Sequence, residues 1–153
     1  MKNKIISYVQ IACRVILGAL LLIAGTLKLQ DNSALFETIA YITWLPIGFK
    51  SFVIDVLPWL EVLVGALLIV GLLKKFAISA GALIYAGFFA FAIYGLGSGM
   101  EGDCGCFGEV DDSNILAMVL GSTFGWSMVI RNGIFVAMAG VLFWRPRSGW
   151  RRR

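Results

Sequence analysis

Two cysteines one residue apart lie in a short loop rich in glycine and acidic residues. The loop sequence is Asp103-Cys104-Gly105-Cys106-Phe107-Gly108-Glu109. Two neighbouring thiols can cycle between dithiol and disulfide by exchange with another thiol protein. Two thiolates can also bind a soft metal ion such as Cu(I), Zn or Hg. The pattern therefore indicates thiol–disulfide redox chemistry, which we favour, or soft-metal handling. A structural disulfide or a packed turn is the third interpretation.

The residues around the two thiols favour different chemistry. Gly105 most easily adopts the bend that a Cys-x-Cys disulfide requires, and Asp103, Phe107 and Gly108 are expected to support the loop. The nearby carboxylates disfavour a thiolate, whereas the N-terminal end of a following helix would favour it. The chain contains no histidine, which is the commonest metal ligand. We therefore assign Cys104 and Cys106 as catalytic residues, and as soft-metal ligands only in the alternative.

Hydropathy predicts the elements that must position this loop. Of 153 residues, 59% are hydrophobic and 14% are charged, whereas soluble domains average about 45–50% and about 25%. A span needs about 20 apolar residues, and four segments qualify: residues 5–27, 52–73, 76–96 and 115–144. We predict an all-α fold, an integral membrane four-helix bundle that forms a single domain over residues 1–153. The Cys-x-Cys loop occupies residues 97–114.

Basic residues predict the orientation of the bundle, because they gather on the cytoplasmic side of a membrane. With a cytoplasmic N-terminus, only Lys28 and Lys50 lie on the outer side. The residues on the inner side are Lys2, Lys4, Lys74, Lys75, Arg145, Arg147, Arg151, Arg152 and Arg153. Both termini are therefore predicted to be cytoplasmic, and the cysteine loop periplasmic or extracellular, where disulfides persist. The net charge of +4 reflects this topology and does not indicate nucleic-acid binding.

Two further features complete the predicted architecture. Between the first two spans, Leu35, Phe36, Ile39 and Ile42 recur at helical spacing, which is typical of an amphipathic helix lying in the membrane interface. The third cysteine, Cys13, should lie about 12 Å into the first span from the inner side. It is therefore a poor partner for the loop cysteines and is expected to pack as a small apolar residue.

Charged residues inside the spans predict a second site. Arg14, Glu61 and Arg131 each fall near the middle of an apolar segment, and ionisable residues there normally face the bundle interior. We expect Glu61 to pair with Arg14, Arg131 or both, with Asn132 adding hydrogen bonds. This cluster either fixes the helix register or lines a pocket for an anionic or quinone-like ligand or a proton path.

Several short motifs follow one another along the chain. They are Arg14 with Gly18, Gly25 and Lys28; Leu57-Pro58-Trp59 with Glu61, Gly65 and Gly71; the Cys-Gly-Cys-Phe-Gly loop; and Arg131-Asn132. In these motifs the chain resembles the methylamine-utilisation MauE family, within the wider group of DoxX-like four-helix membrane proteins. The resemblance implies an integral protein of the bacterial cytoplasmic membrane. For the named member it implies help in maturing the small subunit of methylamine dehydrogenase, a periplasmic protein rich in disulfides.

The expected function is thus thiol–disulfide exchange with a periplasmic or secreted partner, such as a thioredoxin-like protein. The four-helix plan is also similar to that of disulfide-generating membrane proteins of the DsbB and vitamin K epoxide reductase type. Those proteins relay electrons through two cysteine pairs to a quinone, whereas this loop supplies one pair. A quinone is therefore a possible acceptor, and a partner protein could supply the second pair. The alternative function is a non-catalytic carrier or chaperone that binds a soft metal or a client protein through the same loop.

Overall fold

The computed structural model describes residues 2–99 and 125–143 of the chain. Within these ranges the secondary structure is entirely helical. The five helices are α1 (Lys2–Gln30), α2 (Ser33–Ala40), α3 (Ile47–Val70), α4 (Lys74–Gly97) and α5 (Trp126–Phe143). All except α2 are long and apolar enough to cross a membrane. The predicted all-α fold with four spans is therefore confirmed.

Each spanning helix turns one stripe of residues towards its neighbours. On α1 this stripe is Leu17, Leu21, Ala24 and Lys28, all at most 1% exposed, and their spacing of four, three and four residues places them on one helix face. The buried residues of the other spans include Glu61, Val64 and Leu68 on α3, Ala77, Tyr85 and Ala92 on α4, and Met128, Asn132 and Ala139 on α5. Only 17–28% of the most apolar window of each span is buried, so most of the apolar surface faces outward, as lipid contact requires.

Glycines allow α1 and α3 to pack with their backbones in contact. A Cβ atom added to Gly18 would lie 2.9 Å from the carbonyl oxygen of Gly65, and one added to Gly65 would lie 2.7 Å from the oxygen of Gly18. Closer to the C-terminal end of α1, at the same interface, a Cβ at Gly25 would lie 2.8 Å from the carbonyl oxygen of Pro58. Small residues permit this close approach of membrane helices. The two contacts together fix the antiparallel register of α1 against α3.

The helix boundaries differ from the predicted ones in two places. Helix α1 continues to Gln30, so Lys28 lies within the helix and not on the outer flank where the sequence analysis placed it. Helix α3 begins at Ile47, directly after Pro46, which is its N-cap residue with an extended backbone (ψ 141°). The predicted start of this span at residue 52 was therefore too late.

The connections close the bundle at its two ends. Gly71 is the C-cap residue of α3, directly after Val70. Its φ of 79° is left-handed, and its N–H donates to the carbonyl oxygen of Leu67. At the other end, Trp44 Nε1 donates to the hydroxyl of Tyr94 over 3.1 Å, which ties the α2–α3 connection to the last turns of α4. Helix α2 (Ser33–Ala40) lies where an amphipathic helix was predicted. Its location in the membrane interface stays a prediction.

Candidate functional site

The predicted catalytic loop lies outside the described residues. This applies to Asp103, Cys104, Gly105, Cys106, Phe107 and Gly108, and their chemistry stays a prediction. The described chain nevertheless shows where this segment is attached. Helix α4 ends at Gly97 and α5 begins at Trp126, and Ala24, Ala92 and Met128 pack in one cluster. The described residues on either side of this segment, Gly99 and Gly125, therefore lie towards the same end of the bundle.

Cys13 lies at the opposite end of the bundle. It is a free cysteine on α1 and directly precedes Arg14, whose guanidinium lies beside Gly71 at the α3–α4 turn. Helix α4 runs from that turn to Gly97. It has 24 residues, so it is about 36 Å long. Because Cys104 and Cys106 lie outside the described residues, the expectation that Cys13 is not their partner stays a prediction.

A buried ion pair joins α1 to α3. Lys28 Nζ lies 2.6 Å from Glu61 Oε1, and both side chains are fully buried. The ammonium group also lies 4.6 Å from the ring centroid of Phe88 on α4, within the range of a cation–π interaction. This lysine of α1 thus contacts both α3 and α4. The predicted pairing of Glu61 with an arginine is wrong, because its bonded partner is Lys28.

Helix register explains why Arg14 does not reach Glu61. A Cβ on Gly25 would lie 2.9 Å from the Cβ of Glu61, so these two residues are at the same level. Arg14 precedes Gly25 by eleven positions, which is about 16 Å along a helix. Its guanidinium lies instead at the end of α3, where Nη1 would be 2.6 Å from a Cβ placed on Gly71. Arg14 therefore lies at an end of the bundle and not near its middle.

The predicted polar residues of α5 have different surroundings. Asn132 is buried, and its Nδ2 donates to the carbonyl oxygen of Met128 over 2.9 Å. This hydrogen bond remains within α5. Arg131 is half-buried on the same helix. Glu61 bonds to a different helix, through Lys28 on α1.

Tyr85 extends the polar contacts by one turn of α4. Its hydroxyl donates to the carbonyl oxygen of Leu17 over 2.7 Å, and its ring centroid lies 5.5 Å from that of Phe135 on α5. Tyr85 and Phe88 are three residues apart and share a face of α4. The ion pair and the tyrosine thus connect α1 to both α3 and α4 through buried polar groups.

Sequence reasoning missed Lys28, Tyr85 and Phe88 as members of this site. A signal for Lys28 was present, because it continues the inward spacing of Leu17, Leu21 and Ala24 on α1. Burial of each ion costs several kcal/mol, which only good geometry and a close partner can offset. Glu61 Oε2 has no hydrogen-bond partner among the described residues. The arrangement can therefore hold three helices in register and accept one further hydrogen bond at that oxygen.

Comparison with known protein families identifies one match. The family described as Methylamine utilisation protein MauE matches residues 6–145. The matched region contains the Lys28–Glu61 ion pair and the Cys-Gly-Cys loop. Searches of curated proteins and of solved structures found no match to the chain.

Proposed function

We propose, because this chain belongs to the MauE family of methylamine utilisation proteins, that it is a membrane thiol–disulfide redox protein. Family membership and the four long apolar helices make it a multi-pass membrane protein associated with methylamine utilisation. The finer proposal is that it assists disulfide formation in a periplasmic partner, such as the disulfide-rich small subunit of methylamine dehydrogenase. The observation that carries it is the Cys104-Gly105-Cys106 pair between two membrane spans.

The proposed reaction is an exchange between two cysteine pairs. A thiolate of the client attacks the Cys104–Cys106 disulfide and forms a mixed disulfide, which the second client thiol resolves. The client gains a disulfide, and Cys104 and Cys106 become thiols. Reoxidation then removes two electrons and two protons, and a quinone of the membrane or the disulfide of a thioredoxin-like partner would accept them.

The geometry of the bundle supports a loop pair that works without Cys13. The loop is attached at the end of the bundle that carries Gly97 and Trp126, whereas Cys13 lies at the end that carries Gly71. A relay between Cys13 and the loop pair would have to cross the length of the bundle. A resolving thiol must therefore come from within the loop pair or from another protein.

Thiol trapping in membranes tests this proposal. We expect the Cys104–Cys106 pair to equilibrate reversibly between dithiol and disulfide in a dithiothreitol redox titration read out by maleimide labelling. Cys104→Ser and Cys106→Ser should each abolish client disulfide formation, and one of them should accumulate a mixed disulfide. Cys13→Ser is the matched control and should leave client oxidation unchanged.

The same variants separate the redox proposal from the carrier alternative. Normal client oxidation in both Cys104→Ser and Cys106→Ser, together with loss of a bound soft metal ion, would reject the redox proposal. A loop disulfide that resists reduction throughout the titration would indicate a structural staple and would also reject it.

A further inference from the structure

An open groove lies between α2 and the first two turns of α3. Its volume is about 220 Å³. Apolar side chains form its walls, namely Phe36 and Ile39 from α2 and Ile47 and Ile54 from α3, and Lys50 is the cation among its lining residues. Phe36 and Ile47 are 59% and 82% exposed. The groove therefore combines an apolar surface, open to the outside of the bundle, with one positive charge.

The groove belongs to the lipid-facing surface of the protein. Helix α3 spans the membrane from Ile47 onward by its length and composition, so the groove opens sideways within the apolar region. Trp44 and Tyr94 contact each other at the same end of the bundle, and aromatic residues of this kind are enriched at the level of lipid headgroups. A molecule in the groove would therefore have its apolar part in the bilayer and its polar part near the water boundary.

Lys50 is available for an anionic partner. Among the described residues it forms no ion pair, and its Nζ makes one long hydrogen bond of 3.4 Å to the carbonyl of Ala40. The first turn of α3 carries no acidic residue. Lys28, the other lysine towards this end of the bundle, is already bonded to Glu61. The acidic residue of α3 in this region is Asp55, five positions after Lys50, and no ion pair joins the two among the described residues.

We infer that this groove binds one anionic phospholipid of the bilayer, with an acyl chain along the apolar walls and the phosphate group on Lys50. Pockets that enclose a whole drug-sized ligand measure about 300–1,000 Å³, so this smaller, open groove suits a segment of a longer chain. A lysine–phosphate contact is a charge-assisted hydrogen bond. This inference is independent of the redox proposal, because it uses neither loop cysteine.

Native mass spectrometry of the purified full chain tests the inference. The protein is titrated with phosphatidylglycerol or with phosphatidylcholine of the same acyl chains. Both lipids carry a phosphate, but the quaternary ammonium of choline offsets its charge in phosphatidylcholine. We therefore expect phosphatidylglycerol to bind about fivefold more tightly, as one lysine near an anionic lipid predicts. Lys50→Gln should abolish this preference, whereas Lys74→Gln, which removes an exposed lysine at the opposite end of the bundle, should retain it.

A second variant tests the groove itself. Ala40 lines the groove and is exposed, so Ala40→Leu should fill the space without disturbing the helix core and should weaken binding of both lipids. Circular dichroism in detergent confirms that each variant folds. Equal phosphatidylglycerol affinity in wild type and Lys50→Gln would overturn the inference. Copurification of a quinone that is lost in Ala40→Leu would overturn it as well, because the groove would then hold a neutral ligand.

Discussion

Removing one member of the Lys28–Glu61 pair should destabilise the protein strongly. Both side chains are fully buried and bonded at 2.6 Å. Breaking a buried pair by removing one partner costs about 3–5 kcal/mol, since it leaves an uncompensated charge. Lys28→Met leaves the carboxylate of Glu61 in this position, and Glu61→Gln leaves the ammonium group of Lys28. We therefore expect both single variants to lose about 3–4 kcal/mol in the free energy of unfolding at pH 7.

Reversible unfolding by SDS in mixed micelles, followed by far-UV circular dichroism, measures these free energies. The double variant Lys28→Met/Glu61→Gln carries neither charge. It should recover at least half of the loss at pH 7, since a buried pair can be replaced by uncharged groups with little change in stability. Lys74→Met is the control for loss of an exposed lysine and should stay within about 0.5 kcal/mol of wild type. Losses below about 1 kcal/mol in both single variants, or a double variant less stable than either single variant, would refute a buried ion pair.

Three further predictions concern the contacts of the helix interfaces, all measured by the same unfolding assay. Gly25→Leu should lower the free energy of unfolding by about 3 kcal/mol or more, because it forces α1 away from α3. Gly87→Ala, at a position with open space around it, should be neutral or slightly stabilising. Equal effects of the two substitutions would contradict the close contact at Gly25. Tyr85→Phe should cost about 0.5–1.5 kcal/mol through loss of the hydrogen bond to Leu17, and an unchanged stability would show that this bond contributes nothing. Gly71→Ala should cost about 1–2 kcal/mol because its left-handed backbone disfavours a side chain, and a stabilised variant would argue against that conformation.

Much of the architecture followed from the sequence because a bilayer imposes simple rules on it. A span needs about 20 apolar residues, and the four long helices were identified from that requirement. Glu61 was correctly placed in the interior by the same reasoning, because a charge facing lipid is costly. The inward spacing from Leu17 to Lys28 on α1 was equally visible. It was overlooked because Lys28 was counted as a residue of the outer flank, beyond the predicted end of the helix.

The partner of Glu61 was decided by tertiary structure alone. Pairing depends on the axial register of two helices, and a shift of one turn moves a residue by about 5.4 Å. That register is set by the backbone contacts of Gly18 with Gly65 and of Gly25 with Pro58, which no hydropathy pattern encodes. The same contacts place Arg14 at the α3–α4 turn. The sequence by itself thus determined which segments span the membrane and which residue types could do chemistry. The packing of α1 on α3 determined which charges meet, because ion pairing requires contact within a few ångströms.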